Sequence, residues 1–334
     1  MAGSFRFWRS ANPAAIDFND EGILNNITET NLKNIWASRR MVEDGDRLYL
    51  VHFQRTAGIG LPITVVVKKF QNLDGIVDAD VESRWKLEMI MLAFVHHENI
   101  IKVLHAIQRE DTFMLVYEYP LNGSLDYWLH RREEHDMPLS WRQRRAIAIG
   151  VAQGLCHMHY GCNKTVVHHN INCNNILLDQ ELDAKISSFE VGQMDMAGLN
   201  QPLPIVAQHV GYTAPEYFRV AELMEKVDSY SFGVVLLELV TGRVANGDDG
   251  LLAVWARNNC NELMANKHEG FKEVVDMGIP HRARYMKEML SVFKLGVACT
   301  VVDPQERPSM LTVLGKLRRP CGLFGGLLYC IVSK

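Results

Sequence analysis

The chain has 334 residues, 48% hydrophobic and 22% charged, a balance that fits an ordinary globule with a real core and excludes a wholly disordered, collagen-like or polytopic membrane chain. That length suits one large domain or two lobes, since single cores stop growing at about 250–300 residues. Thirty-five Lys and Arg against 39 Asp and Glu give a net charge of −4, so no global basic field is available to hold nucleic acid.

Residues 1–10 carry charge and Trp8 but no apolar run of signal-peptide type. Strands are expected over 48–53 and 63–70, rich in Val, Ile, Leu and Tyr and separated by Gly58, Gly60 and Pro62. A helix follows at 81–95, with Trp85, Met89 and Leu92 at i, i+4 and i+7. A third strand is expected at 113–119. Pro120-Leu121-Asn122-Gly123 then reads as a turn and a lobe boundary.

Helices dominate beyond that turn. Ser140 and Gln143 form a capping box that opens a helix with an Ile147, Val151, Leu155 stripe. Residues 230–240 are apolar on nearly every side and stop at Gly242, as expected of a helix buried through the middle of a lobe. The run Arg142, Arg144, Arg145 reads as a solvated helix face. His157, His159, His168 and His169 are close in sequence, but 157 and 159 point in different directions on a helix and no matching Cys/His pair follows. Packed, hydrogen-bonded histidines are therefore expected and no metal.

Seven cysteines, with no C-x-x-C pair, favour a reduced compartment. The apolar stretch 322–332 falls short of the roughly 20 residues that span a bilayer. No transmembrane segment is therefore expected. Lipidation of Cys321 or Cys330 is weighed against a plain frayed tail, and the tail is preferred.

Several strings in register carry a resemblance: Val65-Val66-Val67-Lys68, Leu115-Val116-Tyr117-Glu118-Tyr119, Asn174-Asn175-Ile176-Leu177-Leu178-Asp179, Gly211-Tyr212-Thr213-Ala214-Pro215-Glu216 and Asp228-Ser229-Tyr230-Ser231-Phe232-Gly233. With Cys299-Thr300, Arg307-Pro308-Ser309-Met310 and Ile16-Asp17-Phe18, the chain resembles the cytoplasmic kinase domains of plant leucine-rich-repeat receptor-like kinases, nearest the HAESA-like group. The resemblance implies an α+β, bilobal eukaryotic protein-kinase-like fold with a small β-rich N-lobe and a large helical C-lobe. It divides the chain into an extension (1–35), N-lobe (36–119), C-lobe (120–319) and tail (320–334).

It also implies a site. Lys68 would reach the nucleotide phosphates and Glu88 would hold it; a purely structural pair is the alternative. Glu118 and Tyr119 would form the nucleotide hinge. Aligning Tyr49 with the tyrosine that follows the family's phosphate cradle puts Met41, Glu43 and Asp46 near its three glycine positions, so side chains and negative charge replace bare backbone. At the catalytic-base position stands Asn170, which has no titratable site near neutral pH. Asn172 replaces the lysine of that loop, and of the metal-binding pair only Asn175 persists. Ser188 replaces the metal-binding carboxylate, with Glu190 two positions on as a remote rescue.

Between Val191 and Gly211 there is no Ser, Thr or Tyr to phosphorylate. His169 replaces the arginine that would grip a phosphate, and His209 stands where the family has Ser or Thr. Glu216 and Arg307 would make the buried ion pair that braces the large lobe.

The expectation is a catalytically inactive scaffold or allosteric partner of an active receptor-like kinase or other signalling protein. It would need no cofactor, bind ATP weakly, and have largely lost Mg²⁺. It would be cytoplasmic, at the inner face of the plasma membrane if the resemblance extends that far. The alternative is a weakly active ATP-dependent Ser/Thr kinase with an atypical site.

Overall fold

The computed structural model describes residues 20–25, 27, 46–53, 63–72, 74–131, 137–189, 193–194, 210–217, 225–265 and 269–319. Met41, Glu43, Glu190, His209 and the tail 320–334 lie outside them.

The first lobe is built on four strands: β1 (Arg47–Phe53), β2 (Ile63–Phe70), β3 (Val103–Arg109) and β4 (Thr112–Glu118). They form one antiparallel sheet in the order β1-β2-β4-β3. Alternate residues of a strand face opposite sides. On β2 this sends Val65 and Val67 outward and Val66 and Phe70 inward, yet all four are fully buried, so both faces of the sheet are covered.

A short helix, α1 (Asp20–Asn25), covers the outer face. Its Ile23 packs with Tyr49, Val51, Val65, Val67, Ile107, Met114 and Val116, and Asp20 Oδ1 lies 2.9 Å from His105 Nε2. The inner face meets α2 (Ala79–Phe94), capped by Asp78, whose carboxylate accepts the Asp80 and Val81 amides. Trp85 of α2 donates to the Met114 carbonyl at 3.0 Å.

The expected strands and helix are present, with ends shifted by a residue or two. Strand β3 was not anticipated. It lies at the sheet edge, and only Ile107 among its residues is buried, so it carries no clear alternation.

The second lobe opens after the Pro120–Gly123 turn, where Gly123 adopts φ 68°. Helices α3 (Leu125–His130) and α4 (Trp141–Cys156) follow. The Ser140–Gln143 capping box is formed, with Ser140 N–H donating to Gln143 Oε1 at 2.8 Å. Short strands β5 (Val166–Val167), β6 (Ile176–Leu178), β7 (Ala184–Ile186) and β8 (Gln193–Met194) frame the loops of the site.

Helix α5 (Glu225–Thr241) is buried from Val227 through Thr241 and ends before Gly242 at φ 65°, as the sequence leads one to expect. It crosses α8 (Met286–Cys299), reached after α6 (Leu252–Ala265) and α7 (Glu269–Val274). The crossing is close: a Cβ on Gly233 would stand 2.5 Å from the Cys299 Cβ. Helix α9 (Met310–Arg318) then packs on α4. The lobes are tied at Asn99, whose amide nitrogen donates to the Ala184 carbonyl and whose carbonyl accepts from Ile186.

One expectation is corrected. Arg144 is not on a solvated face; it is 1% exposed, donating to the Leu139 and Leu239 carbonyls and to Asp276 Oδ2 at 2.7 Å. Five donors in a rigid fork let a guanidinium satisfy carbonyls and a carboxylate together, so it can be buried. Arg145 is half-buried against the end of α9, and Arg142 alone of the three is exposed.

Glu216 and Arg307 form the expected buried pair, with guanidinium to carboxylate distances of 2.5 and 2.7 Å. All five cysteines among the described residues are free.

Candidate functional site

Two clusters gather the residues singled out in the sequence. The first lies in the small lobe. Lys68 on β2 and Glu88 on α2 are both about 1% exposed, and Lys68 Nζ is 2.9 Å from Glu88 Oε2. Tyr117 on β4, whose part was not anticipated, donates its hydroxyl to Glu88 Oε1 at 2.7 Å.

Glu118 stands at the end of β4, and its carboxylate accepts the Lys102 amide at 3.1 Å. Burial raises that carboxyl's pKa and, likewise, that of the half-buried Tyr119 phenol. The Glu118 side chain therefore serves a strand-to-loop contact at the position expected to be a hinge.

The second cluster is the loop between β5 and β6, held from below by Asp228 of α5. Oδ2 and Oδ1 of Asp228 accept the amides of His168 and His169, each at 2.8 Å, and His159 Nε2 lies 2.9 Å from Oδ2. Burial alone would raise this carboxyl, but the His159 hydrogen bond and the neighbouring imidazoles outweigh it and hold the pKa below the ordinary value. His168 Nδ1 accepts the Asn170 amide, so Nε2 carries the proton and donates to the Ser187 carbonyl at 2.9 Å. Its ring also meets Phe189 edge-on at 4.7 Å. His169, expected to stand where the family has an arginine, sits at φ 64°.

The three asparagines bind one another. Asn172 Nδ2 donates to Asn170 Oδ1 at 2.7 Å, Asn175 Nδ2 donates to the Asn170 carbonyl at 2.9 Å, and Asn172 Oδ1 accepts the amides of Asn174 and Asn175. Ser187 reaches the Asn175 carbonyl through both its amide and its hydroxyl. Ser188 follows at φ 68°, buried.

The structure thus brings Asn170, Asn172 and Asn175 into one network with Ser187, and Ser188 is the buried residue that follows it in the chain. Every side chain in that network is neutral. The fold's usual cofactor would be a divalent cation, and the donor set does not fit one: amide and hydroxyl oxygens do not offset the dehydration of a hard cation as carboxylates do. Among the described residues no group of three His, Cys, Asp or Glu is placed to hold a metal. Among the described residues two carboxylates touch the loop from the central helix: Asp228 is spent on three donors, and Glu238 accepts from Cys173 and Tyr212 and faces His130.

A four-stranded sheet with a Lys–Glu pair, set beside a helical lobe whose loop hangs from a buried aspartate, defines a protein-kinase domain. Residues 54–317 match the family model for protein tyrosine and serine/threonine kinases, and the chain belongs to that family. Its relatives are plant receptor-like kinases. It is 31% identical over 315 residues to MDIS1-interacting receptor like kinase 1 of Arabidopsis thaliana, covering 93% of this chain and 29% of that protein. It is 35% identical over 242 residues to Receptor-like protein kinase HAIKU2 (70% and 24%), and 34% identical over 263 residues to the leucine-rich repeat receptor-like serine/threonine-protein kinase At1g17230 (77% and 23%), both of the same plant. The chain spans between a fifth and a third of the length of these relatives. Among the described residues no helix is long and apolar enough to cross a membrane.

Proposed function

We propose that this domain does not transfer phosphate and acts by binding, as a scaffold or allosteric partner of an active receptor-like kinase or a related signalling protein at the cytoplasmic face of the membrane. One observation carries the proposal: the network of Asn170, Asn172, Asn175 and Ser187, with Ser188 next in the chain, holds no carboxylate. Phosphoryl transfer needs a base for the attacking hydroxyl and anionic oxygens for the metal, and amides supply neither. Meanwhile the buried Glu216–Arg307 pair, the Asp228 hub and the central helix α5 remain, so a rigid surface is retained for a partner.

The test is incubation of the purified chain with radiolabelled ATP, Mg²⁺ or Mn²⁺, and a generic protein acceptor. No incorporation above that of a Lys68→Met control is expected. Incorporation that disappears in Lys68→Met refutes the proposal.

The intact Lys68–Glu88 pair at 2.9 Å favours a second reading, a weak Ser/Thr kinase with an unorthodox base or metal. The same assay decides between the two.

A further inference from the structure

Lys68 has more than one carboxylate. Besides Glu88, Asp46 Oδ2 lies 3.5 Å from its ammonium, and the Phe70 ring covers it at 4.5 Å. Asp46 is itself 3% exposed. Its Oδ1 accepts the Gln71 amide at 3.0 Å, and both its oxygens accept from the Arg84 guanidinium at 3.2 and 3.1 Å. Arg84 in turn donates to the Gln71 carbonyl. The result is a chain of alternating charge, half-buried at Arg84 and buried at Asp46, Lys68 and Glu88, closed by the Tyr117 hydroxyl. It joins the start of β1 to β2, β4 and α2.

By the resemblance drawn from the sequence, Asp46 falls near the last glycine of a phosphate cradle. A glycine there would bring no side chain to the lysine; the Asp46 carboxylate instead stands 3.5 Å from its ammonium and adds a second negative charge beside it. A triphosphate entering this site would meet a cation already balanced, and would have to displace Asp46 from Arg84, Gln71 and Lys68 together.

We propose that Asp46 is an internal ligand of Lys68: its carboxylate stands in for a nucleotide phosphate, excludes nucleoside triphosphates from the site, and holds α2 docked with its Glu88 engaged in the absence of any nucleotide. The inference rests on the inactive-domain reading above and gives it a mechanism, since a partner then meets one fixed arrangement of α2 whatever the ATP level.

The experiment is titration of the full chain with the fluorescent analogue MANT-ATP in EDTA, for wild type, Asp46→Gly and Asp46→Gly/Lys68→Met, each checked for folding by circular dichroism. Wild type is expected to bind at least about tenfold more weakly than Asp46→Gly, and Lys68→Met is expected to abolish the gain. Equal affinity in wild type and Asp46→Gly, or a gain that survives Lys68→Met, overturns the inference.

Should Asp46→Gly fail to fold, wild type is treated with an acyl-phosphate derivative of ATP, which acylates lysines beside a bound triphosphate, and the Lys68 peptide is read by mass spectrometry. No ATP-protected labelling of Lys68 is expected, and such labelling overturns the inference. Nucleotide binding by wild type without phosphate transfer removes only the role of Asp46, whereas transfer removes the inactive reading itself.

Discussion

Asn172 donates its side-chain amide to Asn170, with Nδ2 lying 2.7 Å from Oδ1 and 3.1 Å from the main-chain carbonyl of the same residue. In a working kinase the first position would carry a lysine aimed at the transferred phosphoryl group and the second a base. Here each satisfies the other, so the loop is a closed unit with no charge to offer.

Restoring the base alone is therefore not expected to restore activity. A positioned base is worth about 10²–10⁴ in rate, but Asn170→Asp leaves the metal carboxylate missing at Ser188. Radiolabel incorporation by Asn170→Asp should equal that of wild type. Combining it with Asn172→Lys, Ser188→Asp and Asp46→Gly, the last opening the site to nucleotide, should raise incorporation above both. A gain from the single substitution would show that this loop lacks only its base.

The fold was legible in the sequence where pattern and physics coincide. Helix α5 is apolar on nearly every side over residues 230–240, and the capping box at Ser140 satisfies its own backbone. The strands β1, β2 and β4 are dense in β-branched and aromatic residues. Strand β3 escaped because an edge strand need not alternate, and Arg144 was misread because its burial depends on Asp276, 132 positions away. The asparagine loop was identified from the resemblance to the kinase family's catalytic loop. The anchorage of the loop on Asp228 and the pairing of Asp46 with Lys68 were not, since each joins residues that only the folded chain brings together.

Removing Arg144 should be among the costliest single substitutions outside the site. Arg144→Ala leaves Asp276 buried and two carbonyls without their donor. A cost of about 3–5 kcal/mol is expected from breaking a buried pair. Urea denaturation should show it as a lowered midpoint, with Arg142→Ala on the exposed side within about 0.5 kcal/mol of wild type. Similar midpoints for the two variants would count against the buried geometry.

Asp228 sets an acid limit on stability. Its folded pKa lies below the ordinary aspartate value, so its contribution is fully present above that ordinary value and is lost as the pH falls through the folded pKa. Asp228→Asn should lower the melting temperature near neutral pH. The gap from wild type should narrow in melts taken below about pH 4. A gap that stays constant down the acid range would argue against the shift.

Helix α1 has a practical corollary for anyone shortening this polypeptide. Cutting at the family match, which begins at residue 54, removes Ile23, Tyr49 and Val51, three of the eight side chains in the outer cluster. Val65, Val67, Ile107, Met114 and Val116 would then look straight into water along a raw sheet edge, the kind of surface that drives aggregation. The six-residue turn at Asp20–Asn25 and the strand behind it are in effect the weatherproofing of the small lobe.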